Sequence, residues 1–242
     1  MSEQNRKKAL VIGATSGIGK GLAQVLVKNN YLVGITGRRA ALLDELKNEK
    51  PDSYFTQVLD VFKTDDIEKS LNVLSDKLGS IDLIIVSSGY GEINKELSLE
   101  IEQNTILTNV IGFNWVVNWS IKLFEDQGYG HLVGISSIAG LRGNKFAPAY
   151  NASKAYQINY LEGLRQKTRT KNITITDIRP GFVNTDMAKG DGLFWVATVD
   201  KAVNQIYNAI VRKKKVVYVT KRWRLIAIIL KIAPRWLYDR FS

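Results

Sequence analysis

Short apolar runs alternate along the chain with longer segments in which apolar positions recur every three or four residues. The apolar runs lie near residues 8–13, 31–36, 54–59, 81–87, 131–136, 173–179 and 215–219. Runs of this length are typical of strands buried in a parallel sheet, and the periodic segments between them predict amphipathic helices. Right-handed crossovers then place helices on both faces of the sheet. The pattern therefore predicts an α/β fold, a single doubly wound parallel sheet of about seven strands.

The first predicted strand leads into a glycine-rich loop and then into a helical pattern. The loop reads Gly13-Ala14-Thr15-Ser16-Gly17-Ile18-Gly19, and its spacing differs from the G-x-G-x-x-G dinucleotide fingerprint. Glycines at such a point let the backbone turn tightly and approach a pyrophosphate, while the N-terminus of the next helix offers free N–H groups. A tight turn that binds no ligand would explain the same glycines equally well.

Tyr150 and Lys154 lie one helical turn apart, and Ser137 ends the apolar run that precedes them. A phenol with its usual pKa of about 10 is a poor acid or base at neutral pH, so a nearby cation that favours phenolate would tune it for catalysis. Ser137 is placed at the carboxyl end of a predicted strand, where open α/β sheets bind ligands. A solvated Tyr–Lys pair on any amphipathic helix would have the same spacing. The surrounding motifs nevertheless favour oxidoreductase chemistry.

Taken in chain order, these motifs resemble those of the short-chain dehydrogenase/reductase family over about residues 8–219. The positions that match are Gly13, Gly17, Gly19, Asp60, Val61, Ser88, Gly89, Asn109, Ser137, Tyr150, Lys154, Pro180, Gly181 and Thr185. The resemblance implies a Rossmann-like domain over residues 1–220 and an NAD(P)-dependent enzyme. It also extends the implied cofactor site to Thr15, Ser16, Ile18 and Val183.

The resemblance further implies a catalytic tetrad. Tyr150 would exchange a proton with the substrate oxygen, and Lys154 would lower the pKa of Tyr150 and hold the nicotinamide ribose. Ser137 would hydrogen-bond the substrate carbonyl, and Asn109 would support a water-linked proton relay. This assignment agrees with the chemistry, because hydride delivery to a carbonyl builds negative charge on oxygen, which two hydroxyl donors and a cation stabilise.

One motif departs from the family pattern. After its fourth strand the family usually carries Asn-Ala-Gly, whereas this chain has Ser87-Ser88-Gly89. Because serine is shorter than asparagine, the departure affects a contact that supports the strand rather than the chemistry.

The residues after the second predicted strand bear on the choice of cofactor. An acidic side chain at this point binds the ribose 2′-hydroxyl of NAD, but this chain reads Gly37-Arg38-Arg39. Two guanidinium groups suit a 2′-phosphate, so we expect NADPH/NADP rather than NADH/NAD, with Asp60 at the adenine amino group by resemblance. Ser16 is not the basic residue that many NADPH-preferring relatives carry, and Arg38 and Arg39 could also simply begin a solvated helix.

Composition and the N-terminal sequence bear on metal binding and on localisation. The chain has no cysteine and one histidine, His131, which precedes a strand, so we expect His131 to be structural and predict no metal site. The N-terminus leads directly into the first strand without a signal-peptide pattern, and we expect a cytoplasmic protein.

Residues 221–242 form a basic, amphipathic extension. From Arg212 to the end of the sequence there are ten Lys or Arg and one acidic residue, Asp239, so the net charge of this segment is 10 − 1 = +9. The whole chain has a net charge of +11. Six uncharged residues separate Arg224 from Lys231, too few for a bilayer-spanning helix of about 20 residues. Flanking cations and tryptophans predict that residues 221–241 dock on a membrane surface. Packing against a partner subunit is the alternative, and a nucleic-acid site is disfavoured because no binding motif accompanies the charge.

The residues predicted to contact the substrate follow the Pro180-Gly181 pair, and this region is called the substrate side. By resemblance, residues 182–195 would form a lid, and Phe182, Met187, Phe194 and Trp195 predict an apolar pocket. We therefore expect a carbonyl or alcohol substrate of apolar or lipid-like character. A non-catalytic dinucleotide-binding sensor or scaffold is the alternative function. By analogy we expect a homodimer or homotetramer, paired through the helical patterns near residues 99–127 and 148–171.

Overall fold

The computed structural model describes residues 6–187 and 193–241. Within these residues, seven strands form one parallel sheet in the order β3-β2-β1-β4-β5-β6-β7. The strands are β1 (Lys8–Ile12), β2 (Leu32–Gly37), β3 (Tyr54–Val58), β4 (Leu83–Val86), β5 (Gly130–Ile135), β6 (Ile173–Pro180) and β7 (Val216–Val219). Each lies where the apolar runs predict a strand, so the doubly wound α/β fold is confirmed.

Helices cover both faces of this sheet. They are α1 (Gly17–Lys28), α2 (Ala40–Glu49), α3 (Ile67–Leu78), α4 (Leu99–Ile106), α5 (Phe113–Gln127), α6 (Pro148–Lys167), α7 (Val199–Val211), α8 (Trp223–Ile232) and α9 (Arg235–Phe241). Helices α1, α2 and α7 contribute to the buried cluster on one face, and α3, α5 and α6 contribute to the other. Along β1, Ala9 and Val11 enter the first cluster while Leu10 and Ile12 enter the second, because side chains alternate along a strand.

The order of the strands creates a cleft. The chain builds β1, β2 and β3 outward in one direction and then returns to pair β4 with the other edge of β1. Loops that leave β1 and β4 therefore diverge to opposite faces, and such a switch point is where open α/β sheets bind ligands. The glycine-rich loop and Ser87-Ser88-Gly89 both begin at this point.

The predicted long helix near residues 99–127 is interrupted. Helices α4 and α5 are joined by a π-helix over Leu107–Gly112, in which the N–H of Phe113 bonds to the carbonyl of Thr108, five residues earlier. The apolar period of the sequence does not reveal this widening. Short π-helical segments are frequent at functional sites, and this one contains Asn109.

Helices α8 and α9 pack back onto the domain. Trp223 and Ala227 of α8 are buried against Ile138 and a group of partly buried apolar residues that includes Phe182. Arg142 donates hydrogen bonds to the carbonyls of Leu230 and Ala233, at the C-terminal end of α8. None of the helices within the described residues is long and apolar enough to cross a membrane.

Candidate active site

The glycine-rich loop is packed tightly between its neighbours. Gly13 has φ +85°, and a Cβ atom there would lie 2.6 Å from the backbone nitrogen of Ser88. A Cβ on Gly19 would lie 1.9 Å from the carbonyl oxygen of Gly13. Larger residues would therefore force apart the loop, the loop after β4 and the first turn of α1. These glycines are required for backbone packing at the switch point.

The N-terminus of α1 is available to an anion. Its N-cap, Ser16, has extended backbone and makes no side-chain capping hydrogen bond, and no acidic residue stands in the first turn. Helix N-termini leave several N–H groups without helical partners and carry a partial positive charge. The sequence thus produces the kind of site that binds a pyrophosphate.

Arg39 reaches over this loop. One terminal nitrogen of its guanidinium group, Nη2, lies 2.9 Å from Thr15 Oγ1 and 2.8 Å from Ser16 Oγ. Arg38 is exposed beside it. After β3, Asp60 accepts a hydrogen bond from the backbone N–H of Phe62, and Val61 is buried. The structure thus joins Arg39 to the glycine-rich loop.

The four residues of the implied tetrad lie close together around the end of β5. Ser137 is close enough to the phenol of Tyr150 to act on its pKa, and the Nζ atom of Lys154 lies 5.7 Å from the centroid of the Tyr150 ring. Asn109 is fully buried: its side chain accepts from the backbone N–H of Tyr90 at 2.8 Å and donates to the Tyr90 carbonyl at 2.7 Å. Asn109 thereby holds the loop that follows Gly89.

Lys154 is held by two acceptors. Its Nζ lies 3.1 Å from the carbonyl oxygen of Ile135 and 2.9 Å from Oε1 of Gln157. Burial lowers the pKa of Lys154 to about 8, and the negative charge of Asp177 opposes that change. Asp177 itself lies within a buried network, where it accepts hydrogen bonds from Ser136 and Arg179.

The family resemblance implies that Lys154 lowers the pKa of Tyr150, but in the structure this pKa is raised above its usual value. Burial raises the pKa of Tyr150, while the hydrogen bond with Ser137 acts in the opposite direction. The ammonium of Lys154 bonds to Ile135 and Gln157 and lies over the tyrosine ring. Burial therefore has the larger effect on the pKa of Tyr150, and Ser137 is the group that opposes it.

Loops after β4 and β6 complete the site and fit a nicotinamide dinucleotide. The hydroxyl of Ser88 is buried and has no hydrogen-bond partner among the described residues, so a donor or acceptor is available beside the glycine-rich loop. A Cβ on Gly89 would lie 3.5 Å from Asn109 Oδ1 and 3.6 Å from Lys154 Nζ, which places this glycine at the tetrad. Thr185 lies against Gly17, and Val183 is buried after the Pro180-Gly181 pair.

The region predicted to face the substrate carries a cluster of aromatic rings. Phe182, Phe194 and Trp195 surround Trp223 of α8, with ring centroids 5.0 to 6.2 Å from the centroid of Trp223. Trp223 is only 3% exposed, so it does not lie at a membrane headgroup layer as its position in the basic segment suggests. The membrane expectation for this one tryptophan is wrong, because α8 turns it inward onto Gly181. The predicted lid also includes residues 188–192, which lie outside the described residues.

Three residues near the site belong to none of the sequence motifs and were not predicted from them. Gln157 contacts Lys154 and stands three positions later on the same helix, a spacing that could have identified it. Arg142, which binds the end of α8, and Asp177, which lies in the buried network near Lys154, meet their partners only through the tertiary fold. His131 is buried and bonded to Thr176, in keeping with the structural role expected of it.

Comparisons with known proteins bear on the family and the fold of the chain. A family model described as short chain dehydrogenase matches residues 7–192. An uncharacterized oxidoreductase of Myxococcus xanthus is 33% identical over 247 residues, which cover 99% of this chain and 97% of that protein. The closed form of a serine dehydrogenase complexed with NADP+ superposes with a TM-score of 0.77 at 27% identity, covering 84% of this chain and 88% of that one. A short-chain dehydrogenase from Streptomyces avermitilis has a TM-score of 0.82 over 93% of this chain and 92% of that one; its 22% identity shows the fold alone.

Proposed function

Because the chain belongs to the short-chain dehydrogenase family and is an oxidoreductase of that family, we propose that it transfers a hydride between NADPH and a carbonyl or alcohol substrate, with Tyr150 as general acid and base. One observation carries the proposal: Ser137 acts to lower the pKa of the Tyr150 phenol, and the buried ammonium of Lys154 lies 5.7 Å from the centroid of the Tyr150 ring. A dinucleotide-binding sensor or scaffold, the alternative function, has no need of such an arrangement.

The proposed chemistry assigns a distinct task to each side chain. When bound, the nicotinamide would supply the hydride that reduces the substrate carbon. Ser137 and Tyr150 would donate hydrogen bonds to the substrate oxygen, and Tyr150 would then give up its proton to that oxygen. Two donors stabilise the negative charge that develops there, and the cation of Lys154 stabilises the phenolate left behind. Asn109 would keep the loop after Gly89 in place beside the cofactor.

A preference for NADPH rests on Arg39. Its guanidinium contacts Thr15 and Ser16 at the mouth of the glycine-rich loop, where the adenosine 2′-phosphate of a dinucleotide would lie. No acidic residue follows β2 to repel that phosphate. A serine dehydrogenase that is similar in fold and 27% identical was solved with NADP+.

Loss of NADPH absorbance with carbonyl compounds of rising chain length tests this function. Tyr150→Phe removes the proton donor, and we expect turnover to fall at least 10²-fold while NADPH affinity is kept. Tyr160→Phe is a matched control, because its hydroxyl lies on the same helix and bonds to Asn118 instead. Wild-type protein that binds NADPH tightly and turns over none of the compounds would favour the sensor function.

We infer that the substrate is apolar. Met187, Phe194 and Trp195 are exposed on the substrate side, and the ring of Trp223 lies behind them. Apolar surfaces of this kind favour hydrocarbon over charged substrates. If the inference holds, kcat/KM rises with the chain length of the carbonyl compound; a preference for short polar substrates would refute it.

We also propose that α8 and α9 dock the enzyme on an anionic membrane surface. The outer side of these helices presents Leu225, Ile228, Ile229, Ile232 and Trp236, each about half exposed or more. Cations surround them, at Lys221, Arg222, Arg224, Lys231 and Arg235, and residues 212–238 contain no acid. Apolar residues ringed by cations suit a lipid surface with anionic headgroups.

Charge favours a membrane over a second copy of the chain on this surface. A two-fold interface would bring the same five cations of each protomer together, and like charges held across an interface repel. An anionic bilayer would instead neutralise them. Because α8 is bound to the aromatic cluster, docking would place the substrate side close to the lipid, which agrees with an apolar substrate.

Vesicle co-sedimentation tests the docking surface. The double variant Ile229→Glu/Ile232→Glu changes two outward-facing residues and leaves the buried Trp223 in place. We expect wild-type protein to pellet with vesicles containing phosphatidylserine but not with pure phosphatidylcholine, and the variant to stay in the supernatant. Val58→Glu, at an exposed apolar residue of β3, is the control. Wild type and the double variant pelleting alike, or a change in oligomeric mass with no change in pelleting, would contradict the proposal.

A cytoplasmic homodimer or homotetramer paired through α4, α5 and α6 completes the proposal. Ile106, Ile111 and Trp115 are exposed apolar residues along the first two of these helices and the π-helix between them. Light scattering of wild type and Trp115→Glu tests it, since a charge at the interface should lower the mass.

A further inference from the structure

Gln157 is a buried amide that joins two groups of the site. The side chain is fully inaccessible to solvent on the inner side of α6. Its Oε1 accepts a hydrogen bond from Nζ of Lys154 at 2.9 Å, and its Nε2 donates to the backbone carbonyl of Asn109 at 2.9 Å. The amide therefore links the lysine of α6 to the π-helix.

The two bonds fix the orientation of the amide. An ammonium can only donate and a carbonyl can only accept, so Oε1 must face Lys154 and Nε2 must face Asn109. A buried amide is costly without partners, and both polar atoms of this one are satisfied. Rotating the amide by 180° would set donor against donor and acceptor against acceptor.

These contacts restrict Lys154 as well. Its ammonium has three N–H donors, of which the carbonyl of Ile135 and Oε1 of Gln157 take two. One N–H is left for a ligand. Because the two acceptors come from β5 and α6, the nitrogen is held from both sides, over the ring of Tyr150.

We propose that Gln157 is a positioning residue, which fixes the Lys154 ammonium relative to Tyr150 and ties it to the π-helix that carries Asn109. The proposal rests on the proposed function for the roles of Tyr150 and Lys154. Where the family resemblance implies a water-linked relay supported by Asn109, this chain joins the Asn109 carbonyl to Lys154 through an amide. Gln157 thus holds the tetrad together across two helices.

Two substitutions separate the bonds. Gln157→Met keeps the length of the side chain and removes both, whereas Gln157→Glu keeps an acceptor for Lys154 and loses the donor to Asn109. Gln166 lies exposed on the same helix, so Gln166→Met and Gln166→Glu are matched controls. Circular dichroism establishes that each variant is folded, and Gln157→Glu decides the matter if Gln157→Met fails to fold.

The first readout is the titration of Lys154 in cofactor-free protein, followed through its ¹³Cε shift with Lys154→Met for assignment. Acceptors favour the charged form, so the pKa of Lys154 should fall in Gln157→Met and rise in Gln157→Glu. Asp177, paired with Arg179, and Tyr150 are the other ionisable groups around this ammonium, and neither is changed. Equal titration of wild type and both variants would overturn the proposal.

The second readout is turnover. We expect kcat of Gln157→Met to fall roughly 10- to 100-fold with little change in KM, since a misplaced catalytic group costs up to about 10²-fold. The pH profile should move in opposite directions in the Met and Glu variants, which a loss of stability alone would not produce. If wild-type protein turns over no compound, the proposed function fails, while the titration still decides the position of Lys154.

Discussion

Replacing Arg39 by alanine should change the choice of cofactor without harming the fold. Its guanidinium forms two hydrogen bonds, to Thr15 and Ser16, and its side chain is otherwise exposed. A charge-assisted bond to a phosphate is worth about 1.5–3 kcal/mol, and each 1.4 kcal/mol is about tenfold in affinity. Solvent screening at an exposed site favours the lower end of that range. We therefore expect a loss of about tenfold in NADPH affinity and almost none in NADH affinity.

Titration of both reduced cofactors by fluorescence measures this ratio. Arg38→Ala is the matched control, because Arg38 is equally exposed and adjacent. Raising the salt concentration should shrink the difference between the cofactors in wild type, as screening weakens an exposed charge contact. Equal losses for NADPH and NADH in Arg39→Ala, or a larger effect from Arg38→Ala, would refute the assignment of Arg39 to the 2′-phosphate.

Three further predictions concern stability. Burial lowers the pKa of His131 from 6.5 to about 4; between these values only the unfolded chain takes up the proton, so stability should fall by as much as about 3 kcal/mol as the pH drops from 6.5 to 4. Urea unfolding at several pH values measures this loss, and His131→Gln should flatten it. Asp177→Asn removes the partner of the buried Arg179 and should cost about 3–5 kcal/mol in the same assay, whereas a cost below 1 kcal/mol would mean that the pair is dispensable. Arg142→Ala removes two bonds to the end of α8, so limited proteolysis should cut α8 and α9 faster while the sheet resists; unchanged cleavage would show that Arg142 does not retain these helices.

The sheet could be predicted from sequence because its five inner strands are buried on both faces and therefore appear as continuous apolar runs. The edge strands β3 and β7 are only partly buried, yet each still contains a short apolar segment. The glycine-rich loop was equally visible, since Gly13 and Gly19 meet backbone atoms that leave no room for a side chain. In both cases the requirement leaves a local mark in the sequence, an apolar run or closely spaced glycines, even though Gly13 packs against the distant Ser88.

Features that depend on distant contacts could not be read in the same way. The π-helix around Asn109 leaves no trace in the apolar period, because one widened turn shifts the pattern by less than its ordinary scatter. Trp223 lies among cations in the sequence, a setting typical of lipid-facing segments, yet its burial depends on Gly181 and Phe182, more than 40 positions earlier. The pKa direction of Tyr150 likewise follows from burial, which only the fold determines.

The inward packing of Trp223 has a consequence for how the protein is made. Strands β1 to β7 are synthesised before α8, so Phe182 and Phe194 leave the ribosome before the ring that covers them. Because domains generally fold as units, the aromatic cluster is complete only once α8 has been added to the chain. A nascent chain that ends at Thr220 would therefore expose the faces of Phe182 and Phe194 that Trp223 covers in the complete protein.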